Sequence, residues 1–395
     1  MQRTARCERP KQTRPRLEVA DILRTYGEAY RQRYVLTPEQ HKVFHLLQAC
    51  RTELLGGHVD VCDNCGLSIP SYNSCRNRHC PKCQSLAQER WVHGRMERIL
   101  PVPYFHVVFT VPSELRPIAR RNNASFYALM FRAASRTLLE LCQDPKRLGA
   151  KPGITSVLHT WTRDLRYHPH VHCVVTGGGL APGGDRWIEP RYRSRYLLPQ
   201  LVLAKLFRGK LLASLDRAAR LGDLDLGEDA DSFPLLKDAL YRKRWGAYAK
   251  RPFAGPKQVF RYLGFYTHRV GISNHRLLAH EDGRVTFATK NGATATVPGV
   301  EFVRRFLHHV LPARFVKIRH YGLHAPANVN TRLETARQLL EADEPAEIPD
   351  AWEDLLEHLV GDDPRTCPKC KVGTLIRFRI DNATGGLIPL PRPDT

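Results

Sequence analysis

The sequence contains no uninterrupted run of about 18 apolar residues, the length a helix needs to cross a bilayer, so no membrane span is expected. Its opening, MQRTARCERPKQTRPRLEVA, is basic but has no apolar signal core, which sets the expectation of a cytoplasmic, nucleoid-associated protein. No internal repeat at solenoid periods is present, which excludes a repeat array. Acidic residues are in deficit: 39 Asp and Glu stand against 61 Lys and Arg, a formal charge of +22. The basic surplus is spread along the chain and favours a polyanionic partner, nucleic acid before membrane.

At 395 residues the chain is expected to hold two or three domains. Residues 1–57 read as a basic arm followed by a helix. The helix start is marked by Thr37-Pro38-Glu39-Gln40, with a hydroxyl cap, a proline in the first turn and a Gln at the capping-box position. Val43, Leu46, Leu47, Cys50 and Leu54 give that helix one apolar face. A cysteine-rich module spans 58–95 and leads into a predicted helix over 85–100. From 100 to 285 the pattern alternates. Strands are expected at YFHVVFTV, ITSVLHTWT and the run beginning RYHPHVH, the last two able to form a hairpin. Helices are expected at SFYALMFRAASRTLLELC, at LPQLVLAKLFRGKLLASLDRAARL and at PLLKDALYRKRWGAYAK. Residues 286–340 contain a hairpin with Asn291-Gly292 as its turn and the helix EFVRRFLHHVLP. Residues 341–395 read as an acidic linker and a tail.

The 11 cysteines fall mostly into CxxC pairs, which in a cytosolic chain point to metal rather than disulfides. Cys62-x2-Cys65 and Cys80-x2-Cys83 are separated by fourteen residues, the spacing of a zinc ribbon in which two thiolate turns share one tetrahedral Zn2+. Such a set is closed, hence structural. Cys75, His79 and His58 lie nearby as ligands of a second site or as alternates. Cys367-Pro-Lys-Cys370 repeats the knuckle late in the chain with no second pair after it, half a site or a relic. Arg76, Arg78 and Lys82 among the ligands would make the zinc module a basic platform for phosphates.

Two further patterns carry chemistry. His168, His170 and His172 alternate on a predicted strand, so they share one face. His170 and His172 flank Val171, which points into a core; they could hold a divalent metal with positions left open for substrate. A lone His-x-His is also an ordinary feature of a solvated strand face. Downstream, KQVFRYLGFYTHRV places Tyr262 and Tyr266 four apart, stacked neighbours on a helix, among Lys257, Arg261, His268 and Arg269. Periodicity alone fits core aromatics there. A phenol with a pKa of about 10 becomes a nucleophile only with activation or a metal-polarised phosphate in front of it.

Together, YNSCRNRHCPKCQ, HPHVHCVVTGGGL, YLGFYTHRVGISNHRL and RRFLHHVLPARFVKIRHYGL resemble the two-tyrosine rolling-circle transposases of the HUH endonuclease superfamily, the insertion-sequence type with an N-terminal zinc-binding domain. The resemblance covers about residues 20–330. It implies an α+β fold: an HUH-type antiparallel sheet flanked by helices, preceded by an N-terminal helical and zinc-ribbon module. Residues 100–285 would then be the nuclease domain and 286–340 its C-terminal part. His170 and His172 would bind Mg2+ or Mn2+, with the third ligand left open between His168 and Asp164; a hard cation favours the carboxylate. Tyr262 and Tyr266 would attack DNA, leaving a 5′-phosphotyrosine and a free 3′-OH. The implied partners are single-stranded element ends and target DNA. The alternatives are a plasmid replication initiator or relaxase, and a non-catalytic zinc-ribbon DNA-binding protein.

Overall fold

The computed structural model describes residues 15–83, 88–92, 94, 99–191, 197–249, 271–343, 352–380 and 386–390. Helix α1 (Val19–Arg31) precedes the first helix expected from the sequence. Helix α2 (Pro38–Ala49) begins at the cap read from the sequence: Gln40 N donates to Thr37 Oγ1 at 3.2 Å, and Thr37 N donates to the Gln40 side chain at 3.0 Å. It stops at Ala49, so Cys50 lies just past its end and Leu54, assigned to its apolar face, is exposed. Strands β1 (Gly57–Cys62) and β2 (Ser68–Tyr72) form a hairpin with Cys65 in the turn.

The middle of the chain builds a five-stranded sheet from β3 (Tyr104–Thr110), β4 (Gly153–Trp161), β5 (Tyr167–Thr176), and two later strands. A small ribbon, β6 (Gly179–Leu180) with β7 (Trp187–Ile188), follows β5. The later strands are β8 (Ala247–Ala249) and β12 (Ile318–Gly322), and the order is β12-β4-β5-β3-β8, antiparallel at every pairing. The predicted helix through residue 250 therefore breaks. It runs Phe233–Arg242 and gives way past Gly246 to the edge strand β8.

Alternation decides which face of this sheet is core. Phe105, Val107, Phe109, Val171, Cys173 and Val175 point one way and pack with Phe126 and Phe131 of the helix Asn123–Gln143 and Phe207 of the helix Gln200–Arg220. Removing such a fully buried ring typically costs about 3–5 kcal/mol. The intervening positions, His106 on β3, His159 on β4 and His172 on β5, are thereby placed together on the opposite face.

Strands β9 (Leu277–Glu281), β10 (Arg284–Ala288) and β11 (Thr294–Pro298) form a meander. Asn291 and Gly292 turn its second hairpin with φ of 56° and 77°, the left-handed pair that tight hairpins need. Val285, Phe287, Phe302 and Phe306 share one apolar cluster with Ile22, Leu23 and Phe44, so α1 and α2 pack on this unit; nearly all of the basic arm expected before them lies outside the described residues.

The expected acidic linker contains a helix, Trp352–Val360. Beyond it, β13 (Leu375–Ile380) pairs with β1 from His58 to Cys62, and β14 (Leu387–Pro389) extends the sheet to β14-β13-β1-β2. The end of the chain thus completes a sheet begun near its start. No helix among the described residues is long and apolar enough to cross a membrane.

Candidate active site and thiolate clusters

His170 and His172 lie on β5, in the centre of the sheet, and Val171 between them is fully buried in the core. His159 of β4 is the cross-strand partner of His170. One ring nitrogen of each of the three lies within 4.8 Å of the others. The sequence reading missed His159, because the hairpin register and the bulge after it, not spacing along one strand, bring it in. Of the two candidates for the third position, His168 lines the same cavity, and neither it nor Asp164 is among the three converging ligand groups. Arg116 donates to His168 Nδ1 at 3.2 Å, while Asp164 accepts from the Thr162 hydroxyl and pairs with Arg166 at 2.7 Å. Tyr262 and Tyr266 lie outside the described residues.

Hydrogen bonding fixes which nitrogens can coordinate. His170 Nδ1 lies 2.7 Å from its neighbour's carbonyl, His168 O. A carbonyl only accepts, so Nδ1 carries the proton and Nε2 keeps the lone pair. His106 Nε2 and His172 Nδ1 are 2.7 Å apart, with the rings stacked at 5.0 Å. If His172 is the donor, its Nε2 is likewise a ligand, and His106 plays the orienting role that outer partners of metal-bound imidazoles have. Burial pushes His170 down to about 4 and His159 well below the ordinary range, so both are neutral near pH 7, the form that binds metal.

The rings open into a cavity of about 640 Å3, lined also by Thr110, Trp161, Arg163, Gly271, Ser273 and Arg276. Trp161 stacks on His159 with centroids 4.8 Å apart. The Lys317 ammonium sits 5.2 Å over the Trp161 ring, and burial, then the Arg78 charge, lowers its pKa to about 7. Arg276 donates to the carbonyls of Ala288 at 2.8 Å and Gly271 at 3.2 Å, which ties the 271–276 segment in place at the cavity wall.

The cysteines correct the expected zinc ribbon. Cys62 and Cys65 do not meet Cys80 and Cys83; each pair joins a different cluster. Cys80 and Cys83 gather with Cys75 and with Cys50, whose spacing in the sequence fits the apolar face of α2. Sulfur separations there are 3.3 Å (Cys50–Cys83), 3.6 Å (Cys80–Cys50) and 3.7 Å (Cys75–Cys83). Four thiolates about 2.3 Å from a tetrahedral zinc ion stand about 3.8 Å from one another, so the set fits that ion and not a disulfide. Hydrogen bonds from the neighbouring thiols hold the Cys83 sulfur far below the ordinary thiol range, as a thiolate. His79 and His58 stay outside. His79 accepts from Leu311 N at 3.2 Å, and His58 Nδ1 contacts the Asn73 side chain at 3.1 Å. Cys62 and Cys65 meet Cys367 and Cys370 instead.

A second, larger cleft of about 1690 Å3 runs beside these clusters, lined by Arg16, Arg51, Arg76, Arg379, Tyr72 and Ser273 among others. Ser273 lines the histidine cavity as well, so one segment borders both.

A cysteine-rich module joined to an antiparallel sheet with a histidine cluster matches two family descriptions. A "Transposase zinc-binding domain" covers residues 22–111, and a "Putative transposase" domain covers residues 153–332. Both name transposases, enzymes that cut and rejoin DNA. The chain belongs to the zinc-binding insertion-sequence transposases of the IS91/IS801 family, which are of the HUH rolling-circle type. It is 44% identical over 386 residues to "Putative transposase y4qJ" of Sinorhizobium fredii, covering 93% of this chain and 96% of that one. It is 27% identical over 333 residues to "Transposase for insertion sequence element IS801" of Pseudomonas savastanoi pv. phaseolicola, covering 82% and 79%. No solved structure matches.

Proposed function

We propose that this transposase nicks single-stranded DNA at its element's ends by tyrosine attack and transfers the strand by rejoining. The observation that carries the reading is the convergence of His159, His170 and His172 on one face of the central sheet, open to a cavity. Three imidazoles would hold a divalent cation there. The set is nitrogen-rich, which favours Mn2+ over the harder, oxygen-preferring Mg2+. Bound there, the cation supplies charge withdrawal at a phosphate oxygen.

Tyr262 or Tyr266 is the nucleophile. Its oxygen bonds to phosphorus as the P–O3′ bond breaks, the phenol proton leaves to a base, and the released 3′-oxygen takes up a proton. The ester keeps the bond energy, so a second 3′-OH can displace the tyrosine without any other energy source. Covalent reach supports the assignment: Tyr266 is five residues before Gly271 of the cavity wall, and an extended chain spans at most about 18 Å over that length. Residues 100–285 and 286–340 together would form the HUH-type domain, acting in the cytoplasm on nucleoid DNA. The basic cleft leads the strand to the cavity past Ser273.

The test is a single-stranded oligonucleotide from the element's end, incubated with the full chain and Mn2+. A covalent protein–DNA adduct is expected. An adduct that persists in the Tyr262→Phe, Tyr266→Phe double variant sinks the reading.

A further inference from the structure

The cluster of Cys62, Cys65, Cys367 and Cys370 lies half outside the matched zinc-binding domain, since residues 367 and 370 are far beyond its end at 111. Sulfur separations are 3.7 Å for Cys62–Cys370 and 3.7 Å for Cys65–Cys367, again close to the edge of a tetrahedral thiolate set of about 3.8 Å.

The two halves are built alike. Gly66 N donates to Cys62 O at 3.1 Å, and Lys371 N donates to Cys367 O at 3.0 Å; each donor is four residues after the first cysteine of its pair. Gly66 and Lys371 both adopt left-handed backbone, with φ of 67° and 61°. A non-glycine residue holds that conformation only where surrounding contacts impose it. Each turn also aims an amide at sulfur: Cys65 N reaches Cys62 Sγ at 3.4 Å, and Gly373 N reaches Cys370 Sγ at 3.3 Å. Such donors favour thiolate over thiol.

The halves are locked to each other as well. Asp63 N donates to Thr374 O at 3.1 Å, and Thr374 N donates back to the Asp63 carboxylate at 2.8 Å. A Cβ on Gly373 would stand 2.5 Å from Cys62 Sγ, so only glycine lets the backbone approach this closely.

From this geometry we infer that Cys62, Cys65, Cys367 and Cys370 form a second tetrathiolate zinc centre, which fastens the C-terminal strand β13 to the N-terminal module. Directly beyond the centre, β13 carries Arg377 and Arg379 into the wall of the basic cleft. Arg377 is fixed there by two bonds to Asp60, at 2.7 and 3.0 Å. The centre thus completes a surface for phosphates out of the two ends of the chain. That last consequence rests on the reading of the cleft as a DNA path; the metal site does not.

The experiment titrates Co2+ into the full-length, metal-depleted, reduced protein and follows the sulfur-to-cobalt charge-transfer absorption, which an all-imidazole site does not produce. Wild-type protein is expected to saturate at two equivalents, and the Cys367→Ser, Cys370→Ser double variant at one. Gly373→Ala keeps every thiol and is expected to weaken the second equivalent at least tenfold while leaving the first unchanged. Saturation of wild type at one equivalent overturns the inference, as does a second equivalent undiminished in either variant. A Cys–Cys disulfide among the four, detected by mass under reducing preparation, overturns it too. None of these readouts depends on the tyrosine chemistry, and the adduct assay does not report on the metal count.

Discussion

The thiolate cluster at Cys50, Cys75, Cys80 and Cys83 and the histidine trio at His159, His170 and His172 are both sets of converging ligands, yet they are built for opposite ends. The first offers four soft donors, two of them fully buried, and closes around its ion. The second offers three imidazoles on a sheet face and opens into a cavity. A complete tetrahedron leaves nowhere for substrate, while three ligands leave positions for phosphate oxygens. The difference teaches that a closed thiolate set is suited to folding, and that an open imidazole set is suited to the chemistry proposed for it.

The largest expected effect breaks the folding side. Zinc binding to such sites is worth roughly 10–16 kcal/mol, as much as the whole stability of a typical domain at about 5–15 kcal/mol. Cys80→Ser should therefore unfold the N-terminal module, seen as lost zinc and lost helical circular dichroism. A variant that stays folded and zinc-free would erase the contrast. Next, His159→Ala should leave zinc bound and the N-terminal module folded, and cut adduct formation by more than the ~10–100-fold typical of losing an outer partner of a metal ligand.

His106→Ala sharpens the comparison from the second layer. It should weaken Mn2+ at the histidine site about 10–100-fold, measured by the metal concentration for half-maximal adduct, and leave the thiolate sites filled. The smallest effect is with pH. Burial holds His308 down at about 4 and His309 at about 3, both below the unfolded value of about 6.5. Between those limits the unfolded chain binds protons that the folded one refuses, so stability is full above about pH 6.5 and falls as pH drops toward 4. Denaturant midpoints at pH 7.5 and pH 5 would measure it; equal midpoints would contradict the burial of these rings.

What the sequence revealed follows from how local each signal is. The α2 cap, the Asn291-Gly292 hairpin and the alternation of Val171 against His170 and His172 are set within a few residues, and the structure has all three. His159 was hidden because its relation to His170 exists only across a strand pairing. Cys50 was hidden by fitting another pattern, the apolar period of α2. The partner of the Cys367 pair was invisible for a simpler reason: its sulfurs meet others 302 and 308 residues earlier, and no local spacing encodes that distance. The strand at 247–249 and the helix at 352–360 were decided by tertiary pairing and by a helical segment inside an acidic run.

The separation of 302 residues between Cys65 and Cys367 also sets a clock. At about 5–20 residues per second, a ribosome needs about 15–60 s after making Cys65 before Cys367 even exists. During that interval the N-terminal hairpin holds two unspent cysteines and the cleft has one wall. A copy of the gene interrupted between codons 266 and 367 yields a protein that keeps these histidines and tyrosines and still never finishes that surface, so a stretch far from the chemistry decides whether the cleft gains its second wall.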